Sequence, residues 1–337
     1  MISPYDAART HAAYSDRSDA RGRIALRGGD RASYLQGLLT NDITALTPGH
    51  GCYAAYLTAQ GRMIADAYVY ELGDLMVLSV PRTVKDAVLA RLDQFIFSED
   101  VQLGDVTATF AQVAVVGPHA ADVLAPVLQT PLVELSDDGC VRSTTAGGAA
   151  AIVTRIGDLG EPGYDVYVER AGCEELLSSL KGEGVPALDE ATAEALRIEA
   201  GVPLFGRDMD EETIPLEAGI ESRAISFTKG CYVGQEVIIR VLHRGHGRIA
   251  RKLVGLRVSG DRPPAGGAAI QSAGRDIGRV TSAAFSPALK SPIALGYVHR
   301  DFVEPGTRVT IDEADAEVIK LPLTRESAPH PPAETSA

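Results

Sequence analysis

A lysine, a cysteine and two glycines stand together in Lys229-Gly230-Cys231-Tyr232-Val233-Gly234-Gln235-Glu236, and that spacing can make a thiol reactive. The residues that follow, Gln235 to His243, are good helix formers without proline. They predict a helix whose positive end lies near Cys231, with the Lys229 ammonium two residues away. Both influences favour thiolate over thiol. Gly230 and Gly234 permit a tight turn and let a ligand or a second backbone approach the sulfur. The competing reading is a buried structural cysteine that packs as a small hydrophobe. Downstream, Val237 to Gly260 holds no acid, while Arg240, Arg244, Arg248, Arg251, Lys252 and Arg257 are cationic, with His243 and His246 between them. Such a stretch either receives an anionic ligand or partner, or pairs with the acids of Asp208 to Glu217. The two histidines lack a third ligand, so no metal site is expected.

Lys-Gly-Cys-Tyr-x-Gly-Gln-Glu resembles the signature of the YgfZ family, folate-binding proteins linked to iron-sulfur cluster maintenance and tRNA modification. From about Ala25 to Pro322 the chain is similar to the wider group that contains the glycine-cleavage T-protein, an aminomethyltransferase that uses tetrahydrofolate. The echoes run in order: Leu38-Leu39-Thr40-Asn41-Asp42, Val116-Gly117-Pro118, Gly160-Glu161-Pro162-Gly163-Tyr164-Asp165, Arg197-Ile198-Glu199-Ala200-Gly201 and Pro215-Leu216-Glu217-Ala218-Gly219. The resemblance implies a pseudo-symmetric α+β folate-binding body followed by a small C-terminal β-barrel. It also implies tetrahydrofolate or a one-carbon derivative as ligand.

It further implies roles for particular residues. Glu161, in a glycine-flanked turn beside Tyr164, is placed to accept hydrogen bonds from the pterin's N–H edge, which a carboxylate can do bidentately; the alternative is a solvated surface glutamate. Arg197 is placed near the folate, to clamp a carboxylate or lock Glu161, or else it forms an internal salt bridge to Glu199 or Asp208. In Gly61-Arg62-Met63-Ile64-Ala65-Asp66 the last residue aligns with the T-protein's catalytic aspartate, though flanking alanines also suit a carboxylate that faces solvent or binds a backbone amide. The basic stretch could receive a folate polyglutamate tail, an RNA phosphate or an acidic protein. Two functions follow. The cysteine-bearing stretch favours an accessory protein that supports iron-sulfur cluster assembly or repair, and hence tRNA modification, through Cys231 and Lys229, with iron-sulfur client enzymes such as tRNA-modifying radical enzymes as partners. Asp66 keeps open a folate-dependent aminomethyltransferase.

The elements that must position these residues are legible in the patterning. The chain has 337 residues, 45% of them hydrophobic, enough for two or three ordinary globular units. A net charge of −13 argues against a surface built for nucleic acid, and leaves only a local basic patch for that purpose. Cys52, Cys140, Cys173 and Cys231 are scattered without metal-ligand spacing. The polar stretch Met1 to Arg23 lacks a signal peptide's apolar core and no apolar run could span a bilayer, so the default is the cytoplasm with reduced thiols. Strands are expected at Ile24 to Leu26, Tyr53 to Leu57, Ile64 to Tyr70, Phe110 to Val116, Ala150 to Ile156 and Tyr164 to Val168. Helices are expected at Arg31 to Leu39, Thr83 to Phe95, His119 to Val127, Gly172 to Leu180 and Asp189 to Glu199, the last closed by Gly201. This mixture without strict alternation reads as α+β. No internal repeat is visible in the residues. After glycines at 245 and 247, five short strand-like runs read as a barrel. The expected units are a body over 1–243, divisible near 110, a barrel over 248–322 and a disordered tail over 323–337.

Overall fold

The computed structural model describes residues 2–132, 135–244 and 249–322. The body begins with helix α1 (Pro4–Thr10), capped by Ser3 and started by a proline at its first position. Strands β1 (Ala13–Asp16) and β2 (Arg21–Arg27), helix α2 (Arg31–Gln36) and strands β3 (Gly51–Leu57), β4 (Met63–Glu71) and β5 (Met76–Pro81) follow. A 3-10 turn leads into α3 (Lys85–Asp93), then β6 (Gln102–Asp105). The second round is β7 (Phe110–Val116), α4 (Ala120–Leu124), β8 (Cys140–Thr144), β9 (Ala150–Ile156), β10 (Gly163–Glu169), again a 3-10 turn, and α5 (Cys173–Gly182). Helix α6 (Glu190–Ala200) is capped by the Asp189 side chain on the Thr192 amide and ends where the sequence expects, at Gly201 with φ of 71°. Short helices α7 (Pro215–Ala218), α8 (Glu221–Ala224) and α9 (Gln235–Ile239) complete the body.

Two antiparallel five-stranded sheets result, in the orders β3-β4-β5-β2-β6 and β1-β7-β10-β9-β8. Apart from the edge strands β6 and β1 the two share one plan: strand, helix, three strands, 3-10 turn, helix. The body is therefore an internal repeat, invisible in the residues because each half keeps the pattern and not the amino acids. The repeat is also exchanged, since β1 precedes the first half and pairs with β7 of the second.

Strand alternation gives each sheet two unlike faces. In the first, Ile24, Leu26, Val69 and Leu78 pack under Tyr34 and Leu35 of α2 and Val88 and Leu92 of α3. In the second, Val113, Val115, Val153 and Val166 pack under Val123 and Leu124 of α4 and Leu176 and Leu180 of α5. The opposite faces carry Arg21, Arg23, Asp66, Tyr68, Tyr70 and Ser79 on one sheet and Gln112, Thr154, Asp165 and Tyr167 on the other. They meet each other: Arg23 donates to Gln112 at 3.2 Å, and the rings of Tyr70 and Tyr167 lie 6.5 Å apart. So the two apolar cores lie outside and a polar, aromatic layer lies between the sheets.

A closed antiparallel barrel follows, formed by β11 (Arg251–Val258), β12 (Ala269–Ser272), β13 (Arg275–Ser286), β14 (Ser291–His299), β15 (Arg308–Ile311) and β16 (Ala314–Ile319), ordered β11-β14-β13-β12-β15-β16. The fold is thus α+β with a C-terminal barrel. Helix α6 buries Ile198 against Leu253, Ile293, Leu295 and Tyr297 of the barrel. The expected tail, 323–337, lies outside the described residues.

Candidate functional site

Within the layer between the sheets, Asp66 of β4 is 4% exposed and stands between two donors. The Tyr53 hydroxyl, from β3, donates to its Oδ2 at 3.0 Å, and Arg21 Nη1, from β2, lies 3.3 Å from its Oδ1. Arg21 also donates to the Ser79 carbonyl at 2.7 Å and lies over the Tyr68 ring, 5.1 Å from its centroid. Tyr53 and Tyr68 are tilted neighbours with centroids 5.0 Å apart, and Arg223 lies over Tyr53 at 5.0 Å. Burial, reinforced by the Asp66 carboxylate, pushes the Tyr53 phenol well up, so its hydroxyl stays a donor.

Asp165, on β10, faces this group from the other sheet. Gln112 donates to its Oδ2 at 2.8 Å, and Arg17 lies 3.9 Å from its Oδ1. That Oδ1 is buried without a hydrogen-bond partner, as are Asp158 Oδ1 and Thr154 Oγ1 nearby. Desolvation pushes the Asp165 carboxyl up to about 6, against the pull of Arg17. Orphaned buried acceptors are rare in a finished interior. Here they sit beside tyrosine rings in one layer, a combination suited to a flat heterocycle that brings N–H donors on its edge.

The residues singled out in the sequence are scattered by the fold. Of the six, only Asp66 lies in this layer. Tyr164, one residue before Asp165, points to the other face of β10, where its hydroxyl donates to the Leu132 carbonyl at 3.1 Å. Glu161 accepts from Arg9 at 2.8 Å; the other arm of Arg9 reaches Glu199, which also accepts from Tyr5 at 2.7 Å and from Ser286 of the barrel. Arg197 is clamped by Glu194 at 2.6 Å, Asp208 at 2.7 Å and Ser282 at 2.8 Å, and donates to the Val202 carbonyl. Its salt bridge to Asp208 is the internal pairing left open above. Glu161 and Arg197 share no partner, and both networks fasten the body to the barrel.

Cys231 is exposed, in the loop before a five-residue helix that continues as a π-helical turn over Arg240–Arg244. Lys229 spends its three N–H on the carbonyls of Gln36, Leu39 and Asn41, at 2.7, 2.7 and 2.6 Å. Burial lowers this amine to about 8, while three acceptors at that range require the ammonium's three protons. Gly234 has φ of 86°, and a Cβ there would meet the Thr58 carbonyl at 2.5 Å. Tyr232 is buried with Tyr53, Leu57 and Met63. The stretch thus brackets the β3–β4 hairpin, the element that carries Tyr53 and Asp66. Of the basic residues, Arg251 pairs with Glu217 at 3.1 Å and Arg257 with Glu317 at 3.0 Å; His243, Arg244, His246 and Arg248 lie outside the described side chains.

Sequence reasoning missed Arg17, Arg21, Tyr53, Asp158, Asp165 and Arg223. Asp165 had a signal, since it shares the motif of Glu161 and alternates with Tyr164, but residue types alone do not say which face of a strand lies inward.

Known proteins agree with this architecture. The GCVT N-terminal domain matches residues 2–229 and the glycine cleavage T-protein C-terminal barrel domain matches residues 251–324. An aminomethyltransferase of Nostoc sp. is 32% identical, covering 96% of this chain and 87% of its own. One of Saccharopolyspora erythraea is 33% identical, covering 96% and 90%. The crystal structure of glycine cleavage system aminomethyltransferase T from Bartonella henselae superposes with a TM-score of 0.84 at 25% identity, over 96% of this chain and 89% of that one. These relatives correct the reading of an iron-sulfur accessory protein that works through Cys231. They are named aminomethyltransferases over nearly the whole chain, and the geometry points the same way: Lys229, expected to activate the thiol, is committed to backbone carbonyls.

Proposed function

This chain belongs to the glycine cleavage T-protein family, and from that premise we propose that it is a tetrahydrofolate-dependent aminomethyltransferase whose centre is the layer between the two sheets. The observation that carries the reading is Asp66, buried between Arg21 and Tyr53 and faced by Asp165 with an unpartnered oxygen.

The residues fit a pterin. Asp165 Oδ1, with Asp158 Oδ1 beside it, accepts from the ring N–H and the exocyclic amine, and the Tyr53 and Tyr68 rings supply the aromatic wall. Bound tetrahydrofolate supplies the nitrogen that receives the one-carbon unit. Asp66 accepts the hydrogen bond of that nitrogen, takes its proton as the nitrogen bonds the methylene carbon of the aminomethyl donor, and returns it to the donor's amine, whose bond to that carbon breaks as it leaves as ammonia. Arg21 and Tyr53 hold the two Asp66 oxygens, so the carboxylate is oriented before the ligand arrives. Helices α2 to α5 cover the outer faces and keep both sheets rigid around the layer. Glu161, Arg197 and Tyr164 act on the site at a distance, through the body, the barrel joint and the outer core. The stretch Lys229 to Glu236 groups the chain with the YgfZ branch of the family by descent, and its work here is to hold the hairpin of Asp66. With its four cysteines free, the protein acts in a reducing compartment, the cytoplasm.

The test is to measure tetrahydrofolate binding by calorimetry alongside formation of the methylene-folate product. Asp66→Asn should bind within about 3-fold of wild type yet turn over roughly 10²- to 10⁴-fold more slowly. Wild-type turnover in Asp66→Asn, or no tetrahydrofolate binding by the wild-type protein, would sink the proposal.

A further inference from the structure

Four arginines line the layer between the sheets, and three are spoken for. Arg17 pairs with Asp158 at 2.7 Å, and Arg21 with Asp66 at 3.3 Å. Arg23, fully buried, donates to Gln112 and to the carbonyls of Thr107 and Phe110 at 2.7 and 2.9 Å. Arg223 differs. It lies within α8, is exposed as a residue while its guanidinium reaches in beside Tyr53 and Tyr68, and, among the described residues, has no carboxylate within 4.0 Å of it. It is held over the Tyr53 ring, 5.0 Å from the centroid, and that tyrosine's hydroxyl is the one that donates to Asp66. Its backbone is also fixed, because the Asn41 side chain donates to the Arg223 carbonyl at 2.9 Å. A guanidinium stacked in place on an aromatic face has lost little freedom still to lose when it binds, and its planar fork matches a carboxylate.

We infer that Arg223 is a specificity residue that receives a carboxylate of the substrate, one aromatic ring away from Asp66. The inference rests on the aminomethyltransferase reading and adds a chemical class to it: at least one ligand of this site is an anion whose carboxylate lies at the rim while its reacting nitrogen lies inside. Two ligands could bring that group, the glutamate of the folate or a carboxylate on the amine donor. In either case the close carboxylate that no described protein group supplies, Asp138 acting on Arg223 only from beyond 4.0 Å, arrives with the ligand.

Calorimetry with matched ligands tests this on the full-length protein. Tetrahydrofolate is compared with tetrahydropteroate, which lacks the glutamate, and glycine with methylamine, which lacks the carboxylate, each on wild type, Arg223→Gln and Arg223→Lys. Loss of a charge-assisted, bidentate contact should weaken the carboxylated member of one pair by about 10- to 100-fold and leave its uncharged counterpart unchanged, with lysine restoring only part of the loss. The pair that responds identifies the source. Equal weakening within both pairs, no weakening at all, or wild-type protein that does not distinguish the members of either pair overturns the inference. If the wild type binds neither folate, it is the underlying reading that fails, and unchanged melting curves for both variants separate these results from misfolding.

Discussion

Asp165→Asn separates a residue kept for a ligand from one kept for the fold. Desolvation lifts the Asp165 carboxyl from the ordinary 3.8 to about 6. At roughly 1.4 kcal/mol for each tenfold change in proton affinity, the ionised form costs the empty protein up to about 3 kcal/mol. The sign follows from proton uptake. A carboxyl raised in the folded state holds its proton there between pH 3.8 and about 6 while the unfolded chain has lost it, so stability falls as pH rises through that window and stays low above it. Asparagine keeps an acceptor for Gln112 and carries no charge to desolvate. The variant should therefore be more stable than wild type at pH 7.5, by up to about 3 kcal/mol, the attraction to Arg17 being already contained in the raised value, with the gain shrinking toward zero near pH 4. Urea unfolding at both pH values reads this directly, provided the denaturant slope is unchanged. In return, tetrahydrofolate binding should weaken by about 10- to 100-fold. A variant equally destabilised at both pH values would refute the argument, because Asp165 would then be holding the sheets together.

Other perturbations probe the surroundings. Arg9→Met removes the cation beside the Glu199 carboxylate, whose side chain is 0% exposed, and leaves it only the Tyr5 and Ser286 hydroxyls; a loss of about 3–5 kcal/mol in thermal or urea unfolding at pH 7 is expected. Gly234→Ala forces a side chain into left-handed backbone against the Thr58 carbonyl; a loss of about 2–4 kcal/mol, with turnover falling as the hairpin of Asp66 shifts, is the expected readout. Lys229→Met leaves three carbonyls unpaired and should destabilise by roughly 2–3 kcal/mol, whereas Cys231→Ala, at an exposed thiol, should change stability by less than about 0.5 kcal/mol and leave turnover at the wild-type rate.

Much of the scaffold could be read from the residues. Phe110–Val116 and Ala150–Ile156 form strands at the expected limits, because β-branched runs bounded by turn residues leave little choice. Helix α6 ends on Gly201 because only glycine closes it without strain there. The short edge strands β1, β6 and β8 gave no such signal; tertiary pairing defines them. At the site the limit was orientation. Alternation says that Tyr164 and Asp165 face opposite ways, and only the second sheet decides which way is inward. Arg21 and Tyr53 are unremarkable in sequence and acquire meaning through β2 and β3 flanking Asp66. The cysteine motif misled for a related reason: its lysine and glycines satisfy packing demands made by a hairpin some 170 residues earlier in the chain.

The exchange of edge strands has a consequence for how the chain is made. Ala13 pairs with Val116, so β1 leaves the ribosome about a hundred residues ahead of its partner. At ordinary elongation rates that delay is on the order of 5–20 s. During it β2 to β5 can pair while β1 stays an unpaired ribbon, and β6 arrives to complete the first sheet only just ahead of β7. Translation order thus builds the first lobe before the second, and the layer between them comes into existence only when the nascent chain folds back upon its own beginning.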